Sequence, residues 1–458
     1  MKKYLISIVS FMYLLSSVFS PIGLKVYADT IKSVWGASGV GTFQTTITDN
    51  YQSGQLIVDD EGAVITTYDG LTTTNTFAQR VDRTGTRAWG TSGIELSNNA
   101  TGTQRVTGLV SDGQGGAIFV WNDPRSGTSN IYMQRISKAG SVLWTSGGVQ
   151  VTNVNSADAS ITSDMQNGAI ISWTDSRSGT NVYAQRIDST GAPVWAANGV
   201  LIGTATSSKA TVSDGNGGAY IGYNSATGLA KLQRIDSSGT LLWIAGGISV
   251  ISLSNSNLSS LNLDSNLNPI VSIVRVFSGL DTDLYIQKLD SSGNLQWGTN
   301  GTTITALNPA GVNTTTSLIL DSLNNSYVGW KDTRNTNDNA FIQKVNSSGT
   351  TQWTTDGVKV INGTWTQSIP YLAIEGTDLL AGVQDSRRAA TLGLYVQKFN
   401  SAGTILFPID GYAVYSSSIT TLVFGMVSNT KGGVYVLARE SFPKVFKIET
   451  SQSNRATL

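Results

Sequence analysis

The sequence contains no cysteine and no histidine. Without cysteine there are no disulfides, no thiolate-held haem or iron-sulfur cluster, and no lipid-modified cysteine. Without histidine there is no Ser-His-Asp or Cys-His catalysis, no imidazole general base, and no His-ligated zinc, copper or haem. No cofactor and no metal is therefore expected. Charge is also scarce: charged residues make up 13%, with Lys+Arg and Asp+Glu at 30 each and a net charge of zero. Nothing in that balance suits a polyanion, so nucleic acid is not an expected partner. Carboxylate-pair chemistry, as in glycoside hydrolysis, stays open. Yet no single Asp or Glu stands out from its background.

What the chain does have is glycine, 49 residues of it, with Ser, Thr and Asn crowding the connections as in a loop-rich β protein. A long apolar run occurs once, from Tyr4 to Phe19, behind Lys2 and Lys3 and ahead of Val26-Tyr27-Ala28. That order reads as a signal peptide over 1–28, removed on secretion. The product is expected outside the cell or on its surface, as a monomer with no membrane insertion after cleavage. Residues 29–458 are then a single domain.

That domain is a repeat. Trp35, Trp89, Trp144, Trp195, Trp243, Trp297 and Trp353 recur with Phe407 at an eighth station, at intervals of 54, 55, 51, 48, 54, 56 and 54 residues. A solenoid coil would repeat every 20 to 30 residues or so. The third copy shows the unit: strands are expected over Ala157–Asp164, Gly168–Thr174 and Val182–Asp188, with a fourth around Val194-Trp195. The second strand is apolar without alternation, as in Gly115–Trp121, which suits burial on both faces. The third alternates, which suits a more peripheral place. Four antiparallel strands with a buried centre, eight times over, predict an eight-bladed β-propeller. The N-terminal Ile31–Trp35 and the C-terminal Val445–Ile448 each hold part of one unit, so their pairing is expected to close the ring and protect its edges. Each station aromatic can bury about 150–250 Å², at most roughly 4–6 kcal/mol. These aromatics are read as structural.

Ala78–Trp89 (AQRVDRTGTRAW) and Ala184–Trp195 (AQRIDSTGAPVW) resemble the tryptophan-docking repeat of quinoprotein-type propellers, with a turn one residue shorter. They also resemble the Asp-box of sialidase-like propellers, although Gly85, Gly140, Gly191, Gly239, Gly293, Gly349 and Gly403 lie four residues before the station rather than three. The chain is most similar to uncharacterised repeats of secreted bacterial proteins reading GGAI..W.D.RSG...YAQRI...G..LW. Those resemblances imply the propeller fold and leave activity open. The missing cysteines argue against a pyrroloquinoline-quinone dehydrogenase.

Three recurrent features remain. Asp112–Gly116 and Asp214–Gly218 resemble fragments of calcium loops, but they offer one carboxylate followed by glycines and read as hairpin turns. Arg80, Arg135, Arg186, Arg234, Lys288, Lys344, Lys398 and Lys447 put a base at every station of strand three. They are expected on a solvated face with same-side acidic partners such as Asp82, Asp188, Asp236 and Asp290. The third feature is W-x-D-x-R after strand two: Trp121, Asp123, Arg125; Trp173, Asp175, Arg177; Trp330, Asp332, Arg334; and, without the tryptophan, Asp385 and Arg387. A local Asp–Arg bridge shapes such a loop. An aromatic platform beside bidentate groups also suits a sugar ring or a carboxylate, which makes these residues the candidate ligand contacts.

Spacing locates the expected binding face. From Gln79, Gln134, Gln185, Gln233, Gln287, Gln343 and Gln397 to the next station is always 10 residues. Length varies instead between strands two and three and between the station and the next unit, connections that share one face of an antiparallel blade. The variable face is the expected site. The sequence thus predicts a secreted, non-catalytic binding or scaffold propeller with a carbohydrate or protein partner. An extracellular carbohydrate-active hydrolase or lyase, using carboxylate, Tyr or Arg groups at the channel mouth, is the alternative.

Overall fold

Each repeat folds as a small antiparallel sheet whose apolar second strand lies in the middle. In this computed structural model the described residues are 30–33, 40–41, 54–70, 75–98, 102–278, 281–305, 316–335, 337–388, 391–415, 422–429, 433–439 and 443–451. The expected signal peptide and Trp35 lie outside them. All the regular structure described is β.

The third unit runs Ser156–Ser163, Ala169–Asp175 and Asn181–Ile187, in antiparallel succession, within a residue or so of the expected bounds. Its fourth strand is the opening of Val200–Ser213, which pairs through Val200↔Ala184 and Leu201↔Tyr183. The remainder of that fourteen-residue strand becomes the first strand of the next unit. The other four-stranded sheets span 56–95, 105–150, 205–249, 256–303, 317–359 and 371–415. In the last sheet Leu422–Ser428, Val434–Arg439 and Pro443–Ser451 are completed from the other end of the chain. Thr30–Ser33 pairs antiparallel with Ser451–Ile448, and Val40 and Gly41 pair with Val445 and Lys444.

Neighbouring sheets meet through their first strands, and the last sheet meets the first in the same way. There, Val64, Val81, Tyr435, Leu437 and Val445 form one buried apolar cluster, and the Tyr435 hydroxyl donates to the Gly62 carbonyl at 2.9 Å.

Two expectations fail, for identifiable reasons. The station tryptophan is not in the fourth strand. Its backbone N–H is taken by a side chain, the Oε1 of Gln185 in the case of Trp195, and the fourth strand begins about five residues later. Strand three is not peripheral either: Asn130–Ile136 and Asn181–Ile187 are buried along their whole length. Its glutamine and arginine side chains are drawn inward because they find partners there.

The glutamine explains the constant spacing of ten. Gln134 Oε1 accepts from Arg135 N and from Trp144 N, while its Nε2 donates to Thr145 O. Gln79, Gln185, Gln233, Gln287 and Gln343 repeat all three bonds. A ring so fixed can only point into the next unit. Trp144 Nε1 donates to Ser189 O at 3.0 Å and its indole lies against Gly191, where a Cβ would stand 2.9 Å from Cγ. Gly191 has φ +91°, a left-handed conformation that only glycine adopts without strain. Trp89 meets Gly140 and Trp195 meets Gly239 in the same way.

The strand-three bases are drawn into the sheet rather than solvated, and most are ion-paired; Lys344 instead donates to Ser401 O at 3.1 Å. Arg135 Nε reaches Asp112 at 2.9 Å, Arg186 Nε reaches Asp164 at 3.0 Å, and Lys288 reaches Asp264 at 2.7 Å. Their partners come from the turn between strands one and two, whereas Lys447 pairs with Glu449, the acid two residues on, at 2.8 Å. Asp112–Gly116 is the expected hairpin turn: Asp112 Oδ1 accepts from Gln114 N and Gly116 N, leaving Oδ2 for the arginine. The acids two residues on cap their own turn, as where Asp188 Oδ1 accepts from Thr190 N and Ala192 N. Arg135 and Arg186 also donate to Ser189 O and Ser237 O, the carbonyls used by Trp144 and Trp195. At each of these two junctions one carbonyl receives both groups.

Candidate functional site

The W-x-D-x-R segments lie where strand two turns into strand three. Trp173 lies near the end of a strand buried on both faces, its Nε1 donates to Asp175 Oδ2 at 2.9 Å, and Asp175 Oδ1 accepts the Arg177 amide. Arg177 returns over the carboxylate, with Nε 3.0 Å from each oxygen, and its guanidinium carbon stands 4.0 Å above the Tyr183 ring. Its remaining nitrogen donates to Asn198 O at 2.8 Å, at the base of the fourth strand. Gly199 follows, and a Cβ there would stand 2.5 Å from the Trp173 ring.

Three further copies repeat the arrangement. Trp330 donates to Asp332, which Arg334 clasps while stacking on Phe341 and donating to Asp356 O. Asp385 holds Arg387, which stacks on Tyr395 at 3.5 Å and donates to Asp410 O. Trp121, Asp123 and Arg125 keep the clasp and the stack on Tyr132, but Arg125 donates to Ser97 O of the preceding sheet. Trp121, Trp173 and Trp330 are 0% exposed, and so is Asp123. The rings therefore present no open platform to solvent; what reaches the surface is one edge of each guanidinium. Chemically the four copies are locks that hold the strand two to three turn against the rest of the sheet.

The fourth and fifth sheets lack the lock. By register against strand three, Tyr223, Ser225 and Thr227 stand where the third sheet has Trp173, Asp175 and Arg177, and Ile273, Arg275 and Phe277 stand there in the fifth. Between these two sheets opens a cleft of about 390 Å³, lined by Thr206, Ser225, Asn255, Asn257, Val276 and Phe277 together with Ala226 and Gly228. Ligand clefts run from roughly 300 to 1,000 Å³. The lining comes from the strand two to three turns and the segments leading into strand one, all on the variable face. Phe277 is 44% exposed, with the Arg275 guanidinium 4.0 Å over its ring and Arg275 Nε directed at Ser254 O.

Titratable groups elsewhere are committed to the fold. Burial pushes the Tyr223 hydroxyl up to about 12, and it donates to Gly246 O at 2.5 Å, a carbonyl that Lys231 also holds. The Ser238 hydroxyl holds Asp236 below its ordinary value, helped by the Thr240, Ser238 and Gly239 amides against the opposing effect of burial. Among the described residues no buried carboxylate oxygen lacks a hydrogen-bond partner, and no group of three or more acidic side chains gathers in a metal-binding arrangement.

The chain matches no family model and no curated protein sequence. Among solved structures it is similar to a puromycin hydrolase, at 12% identity over 87% of this chain and 61% of that one, with a TM-score of 0.46. It is also similar to an oligogalacturonate lyase in complex with manganese, at 11% identity over 76% and 97% of the two chains and a TM-score of 0.41. An endo-arabinase from Bacteroides thetaiotaomicron aligns at 14% identity over 51% and 90%, with a TM-score of 0.28. The chain spans about three-fifths of the length of the puromycin hydrolase. With TM-scores below 0.5, none of these likenesses carries an argument about what this chain does.

Sequence reasoning weighted the residues that recur and passed over the cleft, which is built where recurrence stops. The signal was present as an absence of Asp-x-Arg in the fourth and fifth units, an absence that the first and last units share.

Proposed function

We propose that this chain is a secreted, non-catalytic binding module. It is an eight-bladed β-propeller, closed by its terminal strands, that takes a carbohydrate or protein ligand on its variable face. Support for closure comes from the pairing of Thr30–Ser33 with Pro443–Ser451 and from the apolar cluster shared by first and last sheets. Residues 1–28 serve export.

The observation that carries the binding reading is an asymmetry of commitment. On the constant face the turn aspartates, the strand-three bases and the glutamines are spent on one another and on neighbouring sheets. On the variable face, in the cleft, an aromatic ring and polar side chains face solvent. Groups held in this way are available to a ligand.

The test uses the full chain secreted from its own signal, whose mature mass should place the new N-terminus at Asp29. It is screened against a glycan array and against candidate proteins, beside variants altered on each face. Binding that is weakened by changes on the variable face, and unaffected by Gln352→Ala on the other, is the expected result. Release of reducing ends or unsaturated sugars from polysaccharides would overturn the non-catalytic reading.

A further inference from the structure

We infer that the cleft between the fourth and fifth sheets is a subsite for a neutral saccharide, an inference that rests on the binding reading above. Three observations converge on it. The first is how the cleft arises. In the third sheet Asp175 and Arg177 draw the strand two to three turn down onto Asn198 O. Ser225 and Thr227 replace that pair in the fourth sheet and bond only locally, Ser225 Oγ to Thr227 Oγ1 at 2.9 Å and to the Leu229 amide at 3.1 Å. In the fifth, Arg275 stands at the aspartate position and turns to Ser254 O, while Phe277 stands at the arginine position. Two adjacent units have exchanged a closing ion pair for small hydroxyls and a phenyl ring.

The second observation is the character of the lining. The lining holds no carboxylate and no cation, and Arg275, which stacks on one face of Phe277, donates to Ser254 O, so the lining itself offers a charged ligand no opposite charge. It contains instead two carboxamides, two hydroxyls and an aromatic ring. The third is that the carboxamides of Asn255 and Asn257 have no hydrogen-bond partner among the described residues. Both are exposed, in a chain whose strand-three glutamine amides are fully used. A sugar supplies the complement: hydroxyls in pairs that both donate and accept, and a C–H face that packs on a ring. Thr206 and Ser225 already accept or donate within the protein, so the asparagines are the groups that select the ligand.

The experiment is a glycan array probed with the full secreted chain, carrying neutral, sialylated and sulfated oligosaccharides, followed by titration with the best binder. Wild type is expected to select neutral glycans. Asn257→Ala and Phe277→Ala are each expected to weaken that binding about tenfold or more. Because both side chains are exposed, their melting temperatures should match wild type, and Gln352→Ala should bind normally. Neutral-glycan binding that survives both variants would overturn the subsite while leaving the lectin reading intact. Selection of acidic glycans alone would overturn the ligand class. No glycan bound at all would remove the subsite together with the carbohydrate branch of the proposed function, leaving its protein branch to the partner screen.

Discussion

At the scale of the residue, the station position separates two contributions that a tryptophan usually makes together. Trp195 buries its ring against Gly239 of the next sheet and also donates from Nε1 to Ser237 O at 3.0 Å. Phe407 holds the eighth station with no such donor, and is as buried as the tryptophans. Burial is therefore the larger effect. Trp195→Phe is expected to cost about 1 kcal/mol, the net value of one hydrogen bond, and Trp195→Ala about 3–5 kcal/mol, the value of a buried aromatic ring and the cavity it leaves. Urea denaturation of the two variants measures the difference, and equal losses would show that the hydrogen bond dominates. Gln185 is a different case, since three bonds depend on one carboxamide. Gln185→Leu keeps its bulk and leaves the Arg186 and Trp195 amides without their acceptor, for an expected loss of roughly 2–4 kcal/mol. The exposed Gln352→Ala should lie close to wild type.

At the scale of the element, the turns are set by aspartates whose two oxygens have separate tasks. One organises the turn backbone and the other receives a strand-three base, as Asp264 does with the Asn266 and Asn268 amides and with Lys288. Burial works against ionisation of Asp264, but the Lys288 ammonium and the Asn268 bonds outweigh it and hold the carboxyl below the ordinary 3.8. Asp188 and Asp290, opposed in the same way by burial, are held down by turn hydroxyls, side-chain amides and backbone amides. A depressed folded value means stability that is complete above the unfolded value and lost as pH falls through the folded one. Melting temperature is accordingly expected to be flat from about pH 5 to 7 and to drop below about pH 4. Asp264→Asn should be less stable at neutral pH and less sensitive to acid. A melting temperature unchanged down to about pH 2 would contradict this. The lock loops hold a carboxylate as buried as Asp264 in its turn: Arg177→Ala strands Asp175 and is expected to cost about 3–5 kcal/mol, more than the joint removal of both side chains. A double-mutant cycle gives the comparison.

At the scale of the whole molecule, what was legible in the sequence was what repeats. The tryptophan marks the period because its contact falls at one fixed place in every unit, and the spacing of ten follows from a single side-chain bond. The third unit's strands were legible for the same reason. The two-residue fourth strands were not, since nothing in Val149-Gln150 or Thr302-Thr303 marks them except their pairing. The partners of the strand-three bases were misplaced because the true aspartates lie 20 or more residues earlier, across a turn that only the fold brings near. The cleft was invisible because it consists of a motif's absence. Among the expectations drawn from the ends of the chain, the pairing of Thr30–Ser33 with Pro443–Ser451 is the one with the sharpest mechanical consequence. In a ring each sheet is braced on both sides, and a single unpaired edge both unbraces two sheets and exposes a strand able to recruit another chain. A chain lacking residues 30–41 is expected to melt at lower temperature and to self-associate as its concentration rises, read by light scattering behind a sizing column. A peptide of residues 29–42 supplied in trans should restore the monomer by adding the missing strand. A truncated chain that stays monomeric with an unchanged melting temperature would show that the terminal strands do not hold the molecule closed. In that case the shared cluster of Val64, Tyr435 and Leu437, with the Tyr435–Gly62 bond, would have to join the first and last sheets unaided.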